Sequence, residues 1–176
     1  MKTIEFKEVQ GFRTWWAWAA VAAINGLFIY AIVQQIILKK PFGTRPAPDL
    51  VLLILELFFL LLFIFLFSVK LKTRITNTGI YYRYFPFQFT ETAIEWHELK
   101  DAYIRQYNSL LEYGGWGIRY GTAKRGKAVN TSASTNKGLQ LQFTNGELLL
   151  IGTTRPDEIQ MILNEVIVSG KINRGV

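Results

Sequence analysis

The fold is decided first by residues 50–67, which read Leu50-Val-Leu-Leu-Ile-Leu-Glu-Leu-Phe-Phe-Leu-Leu-Leu-Phe-Ile-Phe-Leu-Phe67. This run is apolar on every face, so a helix formed by it has no polar side to turn toward water. A second apolar run occupies residues 14–38, and no comparable run follows it after residue 70. A helix needs about 20 residues to cross a hydrocarbon core. The sequence therefore predicts two transmembrane helices, at residues 14–38 and 50–68.

These two spans divide the rest of the chain into four segments. They are an N-terminal segment (1–13), a short extracytoplasmic connector (39–49), a polar domain (69–168) and a tail (169–176). A cleaved signal peptide does not fit the first span, because its alanines at residues 17–23 precede the most apolar stretch instead of following it.

Basic residues flank the spans unevenly, which predicts the orientation. The connector carries three of them, Lys39, Lys40 and Arg45. The other side carries seven, which are Lys2, Lys7, Arg13, Lys70, Lys72, Arg74 and Arg83. Basic residues near spans are retained in the cytoplasm. Both termini are therefore expected in the cytoplasm, and the protein is expected to be a multi-pass membrane protein.

Glu56 is the only ionisable residue inside the second span. An ionised carboxylate at this depth costs several kcal/mol. We therefore expect it to be protonated or paired, and Gln34 or Gln35 of the first span is a candidate partner in a tight hairpin. The alternative is a proton or ion site, which usually needs several ionisable groups along a path.

The polar domain alternates in the manner of short strands. Residues 70–75 and 80–85 flank the turn Asn77-Thr78-Gly79, and residues 139–143 and 147–151 flank Asn145-Gly146. Asn-Gly between alternating segments is the strongest short-range signature of a β-hairpin. Three further segments, residues 93–96, 101–107 and 116–121, bring the prediction to about seven antiparallel strands.

One amphipathic helix is predicted at the end of the domain. Apolar residues recur there at helical spacing, at Ile159, Ile162, Leu163, Val166 and Ile167. Thr154 and Asp157 stand at the positions of a capping box, and Pro156 fits the first turn. The predicted fold class is a membrane α-hairpin followed by a β-rich α+β domain.

Four segments carry a resemblance to a known family. They read Arg74-Ile-Thr-Asn-Thr-Gly-Ile-Tyr-Tyr-Arg83, Ile94-Glu-Trp-His-Glu-Leu99, Glu112-Tyr-Gly-Gly-Trp-Gly-Ile-Arg119 and Leu148-Leu-Leu-Ile-Gly-Thr-Thr-Arg-Pro156. With them, residues 70–168 resemble the bacterial PH-like (pleckstrin-homology-like) domains of small prokaryotic membrane proteins. The resemblance implies a barrel plugged by the C-terminal helix, a location in the prokaryotic inner membrane, and a non-catalytic binding or assembly module.

Two loops of the domain are candidate sites. The first is basic, with Arg119, Lys124, Arg125 and Lys127, and is suited to anionic lipid headgroups. Its alternative is a solvated hairpin tip in a chain of net charge +7. The second is the loop of Tyr113, Gly114, Gly115, Trp116 and Gly117, which either packs within the barrel or docks a peptide. Nucleic-acid binding is not expected, because no nucleic-acid-binding motif accompanies the charge.

Catalysis finds little support in the sequence. There is no cysteine, which excludes thiolate nucleophiles and thiolate metal sites, and there is one histidine, His97, between Glu95 and Glu98. No cofactor or metal is expected. The preferred interpretation is a membrane-anchored module that binds a protein partner, another copy of itself or the bilayer surface. The alternative is a subunit of an oligomeric transport or channel assembly that uses Glu56.

Overall fold

The computed structural model describes residues 5–12, 14–122, 124–131 and 136–172. Contacts within the chain divide it into two compact units. One unit comprises Met1–Arg13 together with Val69–Val176, and the other is Thr14–Ser68. The β-rich domain is thus built from two parts of the chain.

The smaller unit is a helical hairpin. Helix α1 spans Trp15–Ile32 and continues as a π-helical turn over Val33–Ile37, and helix α2 spans Asp49–Ser68. Both are long and apolar enough to cross a membrane, with mean hydropathies of 1.8 and 3.2. This agrees with the two long apolar helices expected from the sequence. Most of their side chains are exposed, whereas a core helix of a soluble protein is mostly buried.

Aromatic contacts hold the two helices together. Trp18 meets Phe63 edge to face with ring centroids 5.3 Å apart, and Phe28 stacks on Phe59 at 5.4 Å. Such pairs contribute about 0.5–1.5 kcal/mol each beyond the area that they bury. The helices therefore pack directly along their length.

The segment before the helices is a strand of the domain. Strand β1 (Glu5–Gly11) pairs antiparallel with strand β2 (Lys70–Thr76), from Glu5 opposite Thr76 to Gly11 opposite Lys70. This pairing differs from the prediction, in which residues 1–13 form a segment outside the domain. The helical hairpin is instead an insertion between two neighbouring strands. Strand β1 was not predicted from the sequence, because the side chains that it points inward include polar Glu8 and Gln10.

The domain has two sheets. The first has the order β1-β2-β3-β4, with β3 at Gly79–Phe85 and β4 at Thr92–Glu95. The second has the order β5-β8-β9-β7-β6. Its strands are β5 (Leu99–Gln106), β6 (Gly117–Tyr120), β7 (Lys127–Asn130), β8 (Lys137–Phe143) and β9 (Leu148–Gly152).

The strand count and the barrel differ from the prediction. The described residues form nine strands instead of about seven, β7 and β9 run parallel, and no closed barrel is formed. The two sheets are separated in sequence by a 3-10 turn, Trp96–Glu98. The side chains of Glu95 and Glu98 form a capping box at this turn. This turn ends the first sheet, so β5 begins a second one.

Both sheets and the C-terminal helix α4 (Pro156–Val168) enclose one apolar core. The largest side chains with almost no exposure come from all three layers, and include Leu71, Ile75, Ile80, Leu139, Leu141, Ile151, Ile159 and Leu163. Helix α4 was predicted correctly, with Pro156 in its first turn. A short helix α3 (Ser109–Tyr113), which was not predicted, contributes to a small second cluster of Tyr107, Tyr113, Ala128 and Leu150.

The predicted capping box of α4 is wrong, because Thr154 is committed elsewhere. Its backbone N–H and its hydroxyl both donate to the buried Glu8 carboxylate, at 2.8 and 2.5 Å, and Thr153 Oγ1 donates to the same group at 2.7 Å. Gln10 Nε2 donates to Gly152 O at 2.7 Å. These bonds fasten β1 to the segment between β9 and α4.

The start of the predicted tail also belongs to the domain. Ile172 is buried in the core, and Lys171 Nζ donates to Asn77 O at 2.8 Å. Residues 173–176 lie outside the described residues.

Two glycines with positive φ provide a test of the hairpin geometry. Gly126 has φ +68° and an added Cβ would lie 2.1 Å from Leu148 O, whereas Gly146 has φ +87° and open space around it. Gly146→Ala should lower the free energy of unfolding by about 1–2 kcal/mol, the cost of a left-handed non-glycine residue. Gly126→Ala should cost clearly more, because the backbone must also move. Urea unfolding in detergent measures both, and equal losses would contradict this geometry.

Candidate functional site

The glycine-rich loop begins as a well-capped helix end. Asn108 Oδ1 accepts from the backbone N–H groups of Leu110 and Leu111, both at 3.0 Å, and so caps α3. The helix ends at Gly114, which has φ 70° in the left-handed region. Asparagine at the start and glycine after the end are the preferred residues for these two positions.

Tyr113, the first residue of this loop, is a structural side chain. It is buried, its ring packs edge to face against Tyr107 at 6.3 Å, and its hydroxyl donates to Arg125 O at 3.1 Å. The same hydroxyl accepts from Arg105 Nη2 at 2.8 Å. The structure therefore uses Tyr113 to connect the glycine-rich loop to the basic loop, residues 124–127.

Arg105 is the centre of a polar cluster that the sequence did not indicate. Besides Tyr113, its guanidinium donates to Gln140 Oε1 and to Glu112 Oε2, each at 2.8 Å. Glu112 Oε1 in turn accepts from the Asn108 N–H at 2.9 Å. Four separate segments of the chain contribute to this cluster, and no local sequence pattern predicts contacts between distant segments.

The pKa of Glu112 is lowered in this cluster. Burial by itself raises the pKa of this carboxyl, but the Asn108 N–H and the charges of Arg105 and Arg125 outweigh it. The carboxylate is therefore held ionised by its neighbours.

The four basic candidates are used differently. Arg125 Nη1 donates to Leu111 O at 3.4 Å, and its Nε lies 4.0 Å from Glu112 Oε2, so it takes part in the cluster. Arg119 Nε donates to Trp116 O at 2.9 Å, which ties it to the glycine-rich loop. Lys127 Nζ lies 6.0 Å from the Tyr120 ring centroid, and Lys124 is exposed. The two lysines thus lie outside the cluster centred on Arg105.

An open groove lies between two turns of the second sheet. Because β7 and β9 are parallel neighbours, the turns that precede them lie at the same end of the sheet. The groove has a volume of about 650 Å³. It is lined by Tyr120, Gly121, Thr122, Gly126, Lys127, Asn145, Gly146, Glu147 and Leu148. We call it the tip groove, and its most prominent side chain is Tyr120, which is 77% exposed.

The single histidine stands apart from this groove. His97 lies in the 3-10 turn with its Nδ1 3.2 Å from Glu95 Oε2, and both side chains are exposed. Across the described parts of the chain, no group of three histidine, cysteine, aspartate or glutamate side chains is arranged to hold a metal. The arrangement offers a histidine–carboxylate pair at the surface.

The polar residues of the helical hairpin are only partly brought together. Gln35 Nε2 donates to Ala47 O at 2.7 Å and to Asp49 Oδ1 at 2.6 Å, so it ties α1 to the start of α2 instead of reaching Glu56. The enclosed Oε2 of Glu56 has no hydrogen-bond partner among the described residues, and Gln34 supplies none.

Residues 2–169 match a family of unknown function (DUF6141). The chain belongs to this family. The match covers β1, the helical hairpin and the domain through the end of α4, so the insertion of the hairpin between paired strands falls wholly within the DUF6141 region. No curated protein matches the chain.

The Glu112 cluster predicts a specific pH dependence. Glu112→Gln removes an ion pair and should lower the free energy of unfolding at pH 7 by about 1–3 kcal/mol. The carboxyl has a pKa of about 4.3 when unfolded and a lower one when folded. Its stabilisation is therefore complete above the unfolded value and is lost as the pH falls through the folded value.

Urea unfolding of the wild type and the variant from pH 7 to pH 3 measures this difference. The difference in the free energy of unfolding between the wild type and Glu112→Gln should become smaller in the acid range. Glu147→Gln, which removes an exposed carboxylate, is the matched control and should leave the curve unchanged. A gap that stays constant down to pH 3 would show that charge plays no part.

Proposed function

We propose that this protein is a non-catalytic module of the prokaryotic inner membrane. In this proposal the helical hairpin anchors a PH-like domain at the cytoplasmic surface, and the domain assembles with a protein partner. The observation that carries the proposal is the insertion of two apolar, largely exposed helices between the paired strands β1 and β2. Such a domain is attached to its anchor at two adjacent points.

The strand pairing also supports the predicted topology. Gly11 and Lys70 are direct partners in the sheet, so the chain must return to the side from which it entered. Two crossings satisfy this requirement, whereas one crossing does not. The excess of basic residues beside this sheet supports a cytoplasmic location for that side.

The architecture supports a PH-like domain in its general layout. Two sheets enclose a single core, and a C-terminal amphipathic helix completes it. It departs from that layout in the added strand β1 and in the open arrangement of its sheets. The turn between β2 and β3 consists of only residues 77–78, which leaves no long basic loop for an inositol phosphate.

The tip groove is the surface that suits a protein ligand. It combines the exposed ring of Tyr120 with Lys127 and the nearby Lys124. Tyrosine is enriched among interface anchors, and the two lysines outnumber the one carboxylate of the groove, Glu147. A partner segment that carries acidic side chains would complement this charge, and anionic lipid headgroups are the competing ligand.

This proposal predicts contact at the tip groove. A photo-crosslinking amino acid at position 120 should give a discrete protein adduct in native membranes, while the same group at Leu111, an exposed apolar residue on α3, should not. Lys124→Glu with Lys127→Glu should abolish the adduct, and Lys100→Glu, an exposed control on β5, should leave it intact. Mass spectrometry of the adduct distinguishes a second copy from another protein. Crosslinks to lipid alone would contradict assembly through this groove.

Glu56 supports a second candidate function, a subunit of an oligomeric transport assembly. The observation behind it is the enclosed carboxyl oxygen that no donor satisfies within the described residues. A partner helix from another subunit is one source of such a donor.

Glu56→Gln separates the two functions. If the side chain only hydrogen-bonds between helices, the amide replaces it, so the native mass in mild detergent should stay unchanged. Proton flux in liposomes, followed with an internal pH dye, should then be the same for both proteins. A proton flux that the wild type shows and Glu56→Gln lacks would favour the transport assembly instead.

A further inference from the structure

Three strands meet at one end of the first sheet. Gly11 of β1, Lys70 of β2 and Phe85 of β3 are consecutive partners across this end. Helix α2 ends at Ser68, only two residues before Lys70, and a residue spans at most about 3.6 Å of extended chain. Neighbouring strands are about 5 Å apart. Chain length alone therefore keeps Phe85 close to the end of α2.

The aromatic turn, residues 86–91, follows directly from Phe85. It exposes two large rings, Phe87 at 60% and Phe89 at 75%. Phe87 stacks on Tyr84 with centroids 5.5 Å apart, and Phe89 meets Phe85 edge to face at 5.8 Å. Most phenylalanine surface in soluble domains is buried, so two adjacent exposed rings call for an apolar environment.

The turn is held in a defined conformation. Gln88 N–H donates to Tyr84 O at 2.8 Å, and Gln88 Oε1 accepts from Tyr84 N–H at 3.1 Å. Arg83 Nη1 donates to Phe89 O at 3.3 Å. The exposed rings are therefore presented by an ordered turn.

Cations lie close to this turn on the outer face of the sheet. Lys72 lies opposite Arg83, and Lys70 lies opposite Phe85. The nearest acidic residue of the turn, Glu91, pairs with Arg74 at 2.9 Å. No ion pair joins Lys72 or Arg83 to a carboxylate in the part of the chain that the structure describes. The surface thus combines exposed aromatic rings with the positive charges of Lys72 and Arg83, which no ion pair within the described residues offsets.

We propose that the aromatic turn is a membrane-contact site. Phe87 and Phe89 enter the boundary between headgroups and acyl chains, and Lys70, Lys72 and Arg83 bind the phosphates of anionic lipids. Aromatic rings and basic side chains side by side are the combination that such interfaces favour. The occupant is the bilayer because the turn is tied by chain length to the end of an apolar helix. This inference rests on the membrane anchoring proposed above.

The contact adds a third attachment to the two covalent ones. Residues 11 and 70 fix two adjacent points of the sheet, and two points do not define a rotation about the line that joins them. A turn inserted beside them removes that freedom. The domain is then held in one orientation at the membrane surface.

The cysteine-free sequence allows a direct test. Single cysteines at Thr90, Leu111 and Phe58 of the full chain are labelled with the fluorophore NBD. The labelled proteins are reconstituted in vesicles of phosphatidylcholine with phosphatidylglycerol. Lipids that carry a nitroxide near the headgroup quench a label at the interface. Thr90 is an exposed turn residue whose replacement keeps both phenylalanines, Leu111 is 82% exposed on α3, and Phe58 is 58% exposed on α2.

The label at position 90 should be quenched and the label at 111 should not. Phe87→Ser with Phe89→Ser should remove the quenching at 90. Replacing Lys70, Lys72 and Arg83 by Gln should weaken docking on anionic vesicles about fivefold per charge, and have little effect on vesicles of phosphatidylcholine alone. An unquenched label at 90 beside a quenched one at 58 overturns this inference and leaves the anchoring intact. Absence of quenching at 58, measured also with lipids that carry a deep nitroxide, overturns both.

Discussion

The pairing of β1 with β2 is the constraint on which the rest of the structure depends. These strands are neighbours in the sheet, yet two complete helices lie between them in sequence. Closing so long a loop has an entropic cost that grows slowly with its length, and the mutual packing of α1 and α2 shortens the effective loop. Seven residue pairs and the bonds that Glu8 accepts from Thr153 and Thr154 offset that cost.

Much of the fold follows from patterns within single segments. The two apolar runs, the turns at residues 77–79 and 145–146, and the helical spacing of Ile159, Leu163 and Val166 each determine their element locally. A strand pair joined by two or three residues needs no distant information, because the turn fixes its register. For this reason β2, β3, β8, β9 and α4 could be predicted from the sequence.

The remaining features depend on distant contacts. Strand β1 buries Glu8 and Gln10, which are residue types that the sequence alone would assign to a solvent-exposed face. Their burial is favourable only because Gly152, Thr153 and Thr154 supply hydrogen-bond partners. The position of the short strand β7 in the sheet is determined by its parallel pairing with β9, which is distant in sequence. Among the candidate site residues, Tyr113 was expected either to pack within the barrel or to dock a peptide, and Arg125 was chosen for its charge. Both belong to a cluster centred on Arg105. The ligand-binding role predicted for Lys124 and Lys127 from their charge stays a prediction.

The same constraint makes the domain sensitive to how the helices are inserted. Strand β1 is synthesised before the helices, but its partner β2 emerges after them. If the two helices cross a membrane, β1 and β2 can meet only when both ends of the hairpin lie on one side. A chain with the wrong number of crossings would leave Glu8 without its three donors and Phe6 without the core that buries it. The stability of the sheet therefore depends on the topology of the anchor. In a domain joined to its anchor by a single flexible linker, stability would not depend on that topology.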